Sequence, residues 1–159
     1  MKMKNILAAA SLLILLSGCS ARIIETNGTT EETQSEFPPS MEGMVRIDGS
    51  LHDLKEGNSR WERKSGTGTE VAMTDAASPS QLAEEVVAIQ ASQNAIIGFK
   101  IEGELKISVY QWNGNKREKQ IELTDHQFSV PVSGGRYIYE ALATWEEGEV
   151  SYTFVIEVD

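Results

Sequence analysis

The spacing of apolar and polar positions is most regular between Tyr137 and Val158. Tyr137, Tyr139, Ala141, Ala143 and Trp145 alternate with other residues on the way in, and Val150, Tyr152, Phe154, Ile156 and Val158 on the way out. Successive strand side chains point to opposite faces, so the two runs predict one apolar face of a β-hairpin. With Glu147-Gly148 as the turn, Glu146 faces Glu149, Trp145 faces Val150 and Ala143 faces Tyr152. Ala141 then faces Phe154, Tyr139 faces Ile156 and Tyr137 faces Val158, small alanines lying opposite large aromatics. A slip of one residue would turn the set outward, so this face needs a cover, which a second sheet supplies.

The same reading carries backwards along the chain. Met44–Ile47 is a first strand ended by Asp48-Gly49, and Leu51–Gly57 reads as polar and irregular. Ser59–Lys64 around Trp61 is a second strand, Ser65-Gly66-Thr67-Gly68-Thr69 a flexible connection and Glu70–Met73 a third strand. Ser78-Pro79-Ser80-Gln81 has the order of a helix start, with Ser as N-cap, Pro at N1 and Gln at N3. After that turn the pattern favours a strand over 85–91 and, beyond Ser92-Gln93-Asn94, another over 95–101. Leu105, Ile107 and Val109 open a half-buried strand that runs to Trp112, and Asn113-Gly114 marks a turn. The charged run Lys116–Gln120 suits an edge strand, and Pro131 keeps the strand Phe128–Val132 at an edge or end. About eight or nine short strands with frequent turns predict an all-β, immunoglobulin-like β-sandwich with one short helical turn.

The first residues follow a different pattern. Met1-Lys2-Met3-Lys4 is basic and Ile6–Leu16 is apolar apart from Ser11. That run falls short of the roughly 20 apolar residues a spanning helix needs, and it matches a signal-peptide core. It ends in Leu16-Ser17-Gly18-Cys19, small residues before the only cysteine. This arrangement resembles the lipobox of bacterial lipoproteins, which implies cleavage after residue 18 and a diacylglyceryl thioether, often with a third acyl chain, on Cys19. The bland alternative is an ordinary secretory peptide with an incidental cysteine. Two or three chains, at about 0.8 kcal/mol per buried CH₂, make a durable anchor. Residues 19–42 are rich in Thr, Glu, Ser, Gln, Asn and Pro and read as a polar tether with an r.m.s. span of roughly 25–30 Å. The folded domain is then 43–159.

Charge and cysteine count narrow the classes. The net charge is −10, and loss of Lys2 and Lys4 with residues 1–18 would leave twelve basic against twenty-four acidic residues. No basic patch is present to neutralise phosphates, so nucleic acid is a poor partner. One cysteine excludes an internal disulfide and a cysteine-based metal site.

No catalytic, cofactor or metal constellation stands out. His52-Asp53 and Asp125-His126 are isolated pairs in polar sequence, without a second histidine at ligand spacing. Ser133-Gly134-Gly135 lacks the flanks of a nucleophile elbow, and Gly66-Thr67-Gly68 lacks the Gly-Lys-Ser/Thr of a phosphate loop. Glu146, Glu147 and Glu149 lack calcium-loop spacing and read as a solvated turn. Asn27-Gly28-Thr29 fits a glycosylation sequon, which a bacterial export signal makes incidental. Trp61 and Trp112, flanked by polar residues, are the candidates for ligand binding, since a tryptophan not needed by the core can anchor a peptide or glycan. The competing explanation places each at an end of the sandwich.

The segment Gly135-Arg136-Tyr137-Ile138-Tyr139-Glu140, with Ala143-Thr144-Trp145, Gly148 and Tyr152-Thr153-Phe154-Val155-Ile156-Glu157-Val158, resembles the C-terminal end of a group of small lipoproteins of Gram-positive bacteria. Trp61 and Asp75-Ala76-Ala77-Ser78-Pro79 stand where that group carries a Trp and an Asp…Ser-Pro stretch. The resemblance implies an extracytoplasmic, lipid-anchored all-β domain and brings no catalytic residues with it. A fainter likeness, of strand pattern alone, runs to all-β proteinase inhibitor domains. The expectation is a non-enzymatic display module, held to the membrane by its N-terminal lipid and facing an envelope protein, peptide or glycan. The alternatives are an inhibitor of an envelope or secreted protease and, third, a hydrolase.

Overall fold

The structure is a computed structural model and describes residues 36–159. The chain divides into two compact units, and Ser35–Asp159 is the one described below. The signal peptide, Cys19, the sequon and most of the tether lie outside the described residues.

The described unit is all-β. Its strands are β1 (Gly43–Ile47), β2 (Ser50–Asp53), β3 (Lys55–Ser65), β4 (Gly68–Thr74), β5 (Ile89–Ala91) and β6 (Ile96–Ile101). β7 (Lys106–Asn113), β8 (Lys116–Ile121), β9 (Gln127–Ser129), β10 (Gly135–Thr144) and β11 (Gly148–Val158) follow, with one short helix, α1 (Pro79–Leu82), before β5. A smaller sheet has the order β2-β1-β6-β9, and a larger one β4-β3-β11-β10-β7-β8, with β5 pairing β11 in parallel. From β6 onward, β8-β7-β10-β11 against β6-β9 is the arrangement of strands C′, C, F and G against B and E in an immunoglobulin-like sandwich. β1 and β2 extend the smaller sheet, and β3 and β4 the larger.

The core lies between the sheets, as the alternation requires. Val45, Ile47, Ile97 and Phe128 from the smaller sheet meet Val109, Tyr139, Ala141, Ala143, Val150, Tyr152, Phe154 and Ile156 from the larger. Phe128 packs edge-on to Tyr139 at 5.2 Å between centroids, and Tyr139 stacks on Phe154 at 5.3 Å. Such pairs contribute about 0.5–1.5 kcal/mol each beyond the area they bury.

The closing hairpin has the expected faces but a different register. Ala143 pairs with Val150, Ala141 with Tyr152, Tyr139 with Phe154 and Tyr137 with Ile156, two residues from the expected pairing. The tip is Glu146-Glu147, closed by the Trp145 N–H donating to the Gly148 carbonyl at 2.8 Å. A shift of two keeps every side chain on its face, so alternation could not distinguish the two registers. Gly148 belongs to β11 because the strand passes close to β3: a Cβ there would lie 2.5 Å from Trp61 Cε3 and closer still to the Arg60 carbonyl oxygen.

Several boundaries also differ. Eleven strands are present among the described residues rather than eight or nine, and 50–57, expected to be irregular, is ordered as β2 and the start of β3. Asp48 and Gly49, with φ of 49° and 84°, turn β1 into β2 as a two-residue hairpin. Gly66-Thr67 is a tight turn joining β3 to β4, not a flexible connection. Only Ile89–Ala91 of the expected strand 85–91 is extended, and Val87 is 87% exposed. The segment before it instead covers the outer face of the larger sheet, where Leu82 and Ala83 are buried, as are Ser151, Thr153 and Val155. The Ser78–Gln81 cap is present: Gln81 Oε1 accepts from the Ser78 N–H at 3.1 Å. The tether is shorter than expected at its C-terminal end. Phe37 and Met41 pack against the core, and the Tyr152 hydroxyl donates to the Met41 carbonyl at 2.7 Å.

Candidate functional site

The outer face of the larger sheet carries a polar and aromatic cluster outside the core. β10 places Glu140 on that face, and β7 places Tyr110 directly across from it. An irregularity in the β7–β8 pairing between Gln111 and Trp112 sets Trp112 opposite Arg117. The Trp112 indole N–H donates to Glu140 Oε2 at 2.7 Å. Arg117 donates to both oxygens of the same carboxylate, at 2.8 and 3.0 Å. Its guanidinium carbon also lies 4.1 Å from the centre of the Tyr110 ring. Fork-to-fork pairing and stacking together fix a planar cation in position. The bond to Glu140 raises the Arg117 pKa above its ordinary value, against an opposing desolvation cost.

The Glu140 side chain is 7% exposed and its oxygens accept from three N–H donors. Tyr110 and Trp112 are half-buried on this face, and the Arg117 guanidinium covers the Tyr110 ring. Beside them α1 straps the face: Ser80 Oγ donates to the Gly114 carbonyl, and Arg136 donates to the Ala83 carbonyl at 2.8 Å.

Of the two tryptophans singled out from sequence, only Trp112 lies here. Trp61 is a core residue, correcting the expectation that its polar neighbours set it apart. It is 4% exposed and packs against Trp145 at 5.2 Å between centroids. Trp145 closes that end of the sandwich, its indole N–H donating to the Glu102 carbonyl at 2.9 Å. Its flanking charges face outward from β3 because strand neighbours point to opposite sides.

The remaining candidates stay apart. His52 is on β2, at one edge of the smaller sheet, and His126 is in the turn before β9, at the other. Among the described residues no group of three or more His, Cys, Asp and Glu side chains is placed to hold a metal. The Ser133 carbonyl accepts from the Tyr137 hydroxyl at 2.8 Å, a loop closure before β10. No helix among the described residues is long and apolar enough to cross a membrane.

Sequence reasoning missed Tyr110, Arg117 and Glu140. One signal was available: Glu140 lies between Ile138 and Leu142 on the outward-facing positions of β10, an acid flanked by two apolar residues. No family model matches this chain, and no curated protein matches it.

Proposed function

We propose that the chain is a lipoprotein, acylated on Cys19 after loss of residues 1–18, which displays its β-sandwich outside the membrane as a non-catalytic binding or scaffold module. The N-terminal pattern ending in Leu16-Ser17-Gly18-Cys19 carries this reading, because it accounts for the basic start, the short apolar run and the lone cysteine together. The likeness to small Gram-positive lipoproteins points the same way. The outer face around Tyr110 and Trp112 is the recognition surface in this reading. Its rings are held by Glu140 and Arg117, so little ordering cost remains to be met when a peptide or glycan docks.

The test is Cys19→Ala in cells labelled with a fatty-acid probe. The native chain takes up label and fractionates with membranes, whereas the variant is unlabelled and accumulates in the medium. An unlabelled native chain would end the anchoring proposal. For the binding face, Trp112→Ala should lose partners crosslinked on intact cells while keeping a cooperative melting transition. Unchanged crosslinking would remove that face from consideration.

A further inference from the structure

The edges of the two sheets are unequally protected. β8 closes one side of the larger sheet with four charged residues in six, the usual guard against strand addition. β2 and β9, at the edges of the smaller sheet, have only four and three residues. β4 is different. It is seven residues long, Gly-Thr-Glu-Val-Ala-Met-Thr, pairs only with β3 among the described residues, and carries one charge, Glu70, which Arg63 Nε meets at 2.8 Å. Val71 and Met73 stand on its outer face, 47% and 66% exposed. Both ends are fixed, one by the turn at Gly66 (φ 59°) and the other by the Ala76 N–H donating to Asn58 Oδ1 at 2.6 Å.

We propose that β4 is a dimerisation edge, pairing antiparallel with β4 of a second copy about a two-fold axis at Ala72 and joining the two larger sheets into one. The sequence of β4 is self-complementary in this register. Ala72 faces its own copy, Val71 faces Met73 and Met73 faces Val71, so four exposed apolar side chains form one row. Glu70 faces Thr74, and no charge meets a like charge. A two-fold pairing of this kind is closed, which accounts for a long apolar edge without open-ended growth. The inference stands on β4 alone and is independent of the proposed anchoring.

Disulfide trapping in the full chain tests it. A chain carrying Cys19→Ser and Ala72→Cys has a single thiol, and directly opposed strand residues have Cβ atoms about 4.5–5.5 Å apart, near disulfide reach. In mild detergent and weak oxidant, this chain should form covalent dimer at least tenfold faster than one with Val87→Cys in place of Ala72→Cys. Adding Val71→Lys and Met73→Lys sets lysine against lysine in both symmetric pairs and should lower the rate to the Val87→Cys level. Both positions are exposed, so the lysine chain should keep a cooperative melting transition. Equal rates for the two thiols would overturn the proposal, as would dimer that survives the lysines. Amide protection of β4 that requires residues 1–35, with no dimer, would assign the edge to the chain's own N-terminal segment and also overturn it.

Discussion

Trp61 packs against the bare Cα of Gly148, with no room for a methyl group between the ring and β11. This contact sets the height at which β3 joins β11, and so the position of the hairpin tip. Gly148→Ala should destabilise the domain by about 3 kcal/mol, the upper end of overpacking costs, because a backbone carbonyl and a buried ring cannot both move aside. Urea titration at constant m-value checks it. A neutral result would mean that the register is held elsewhere.

Trp61 itself should be among the costliest residues to truncate. Trp61→Ala removes a ring from the core and from its contact with Trp145, a loss of about 3–5 kcal/mol by denaturant unfolding.

The Glu140 carboxylate joins three strands through side chains alone. Arg117→Ala leaves the buried acid with Trp112 as its remaining side-chain donor, and should cost about 1–3 kcal/mol, less than for a fully buried pair because Arg117 is 45% exposed. Glu140→Gln keeps an acceptor for the indole and should cost less than Glu140→Ala. A double-mutant cycle on Arg117 and Trp112 would show coupling, since they share one acceptor.

Alkaline pH should unfold the domain. Burial raises the pKa of Tyr139 and of Tyr152, with smaller contributions from Tyr137 to the first and Glu56 to the second. The unfolded chain releases these protons near the ordinary tyrosine value of about 10, whereas the folded chain holds them. Stability is therefore fully present below about pH 10 and falls as pH rises towards the folded-state values. Tyr139→Phe and Tyr152→Phe should each flatten that fall. Tyr152→Phe should also cost about 1 kcal/mol at neutral pH through its lost bond to Met41.

What the sequence made legible follows from which signals are local. The faces of β10 and β11, the cap at Ser78, the guarded edge at β8 and the fold class all rest on period-two alternation or on turn chemistry, which neighbouring residues determine. The hairpin register does not, because a shift of two preserves alternation and the decision lies with Trp61, eighty-seven positions before Gly148. Ordering of 50–57 depends on pairing with β1 and β11, and its polar sequence shows none of that. The Trp112–Glu140–Arg117 cluster joins three strands, and a sequence displays its members only as an odd acid, a ring and one charge within a charged run.

β11 comes last in chain order among the described strands, yet it lies in the middle of the larger sheet, between β10 on one side and β3 and β5 on the other. Without it, the β3–β4 ribbon has no strand partner in the rest of the sheet, and Tyr139 loses the ring it stacks on. The nascent chain therefore cannot close its core until Gly148–Val158 has emerged from the ribosome. Folding of the sandwich waits for this strand, and a chain cut before Gly148 would be a set of unsatisfied strands rather than a slightly shortened domain.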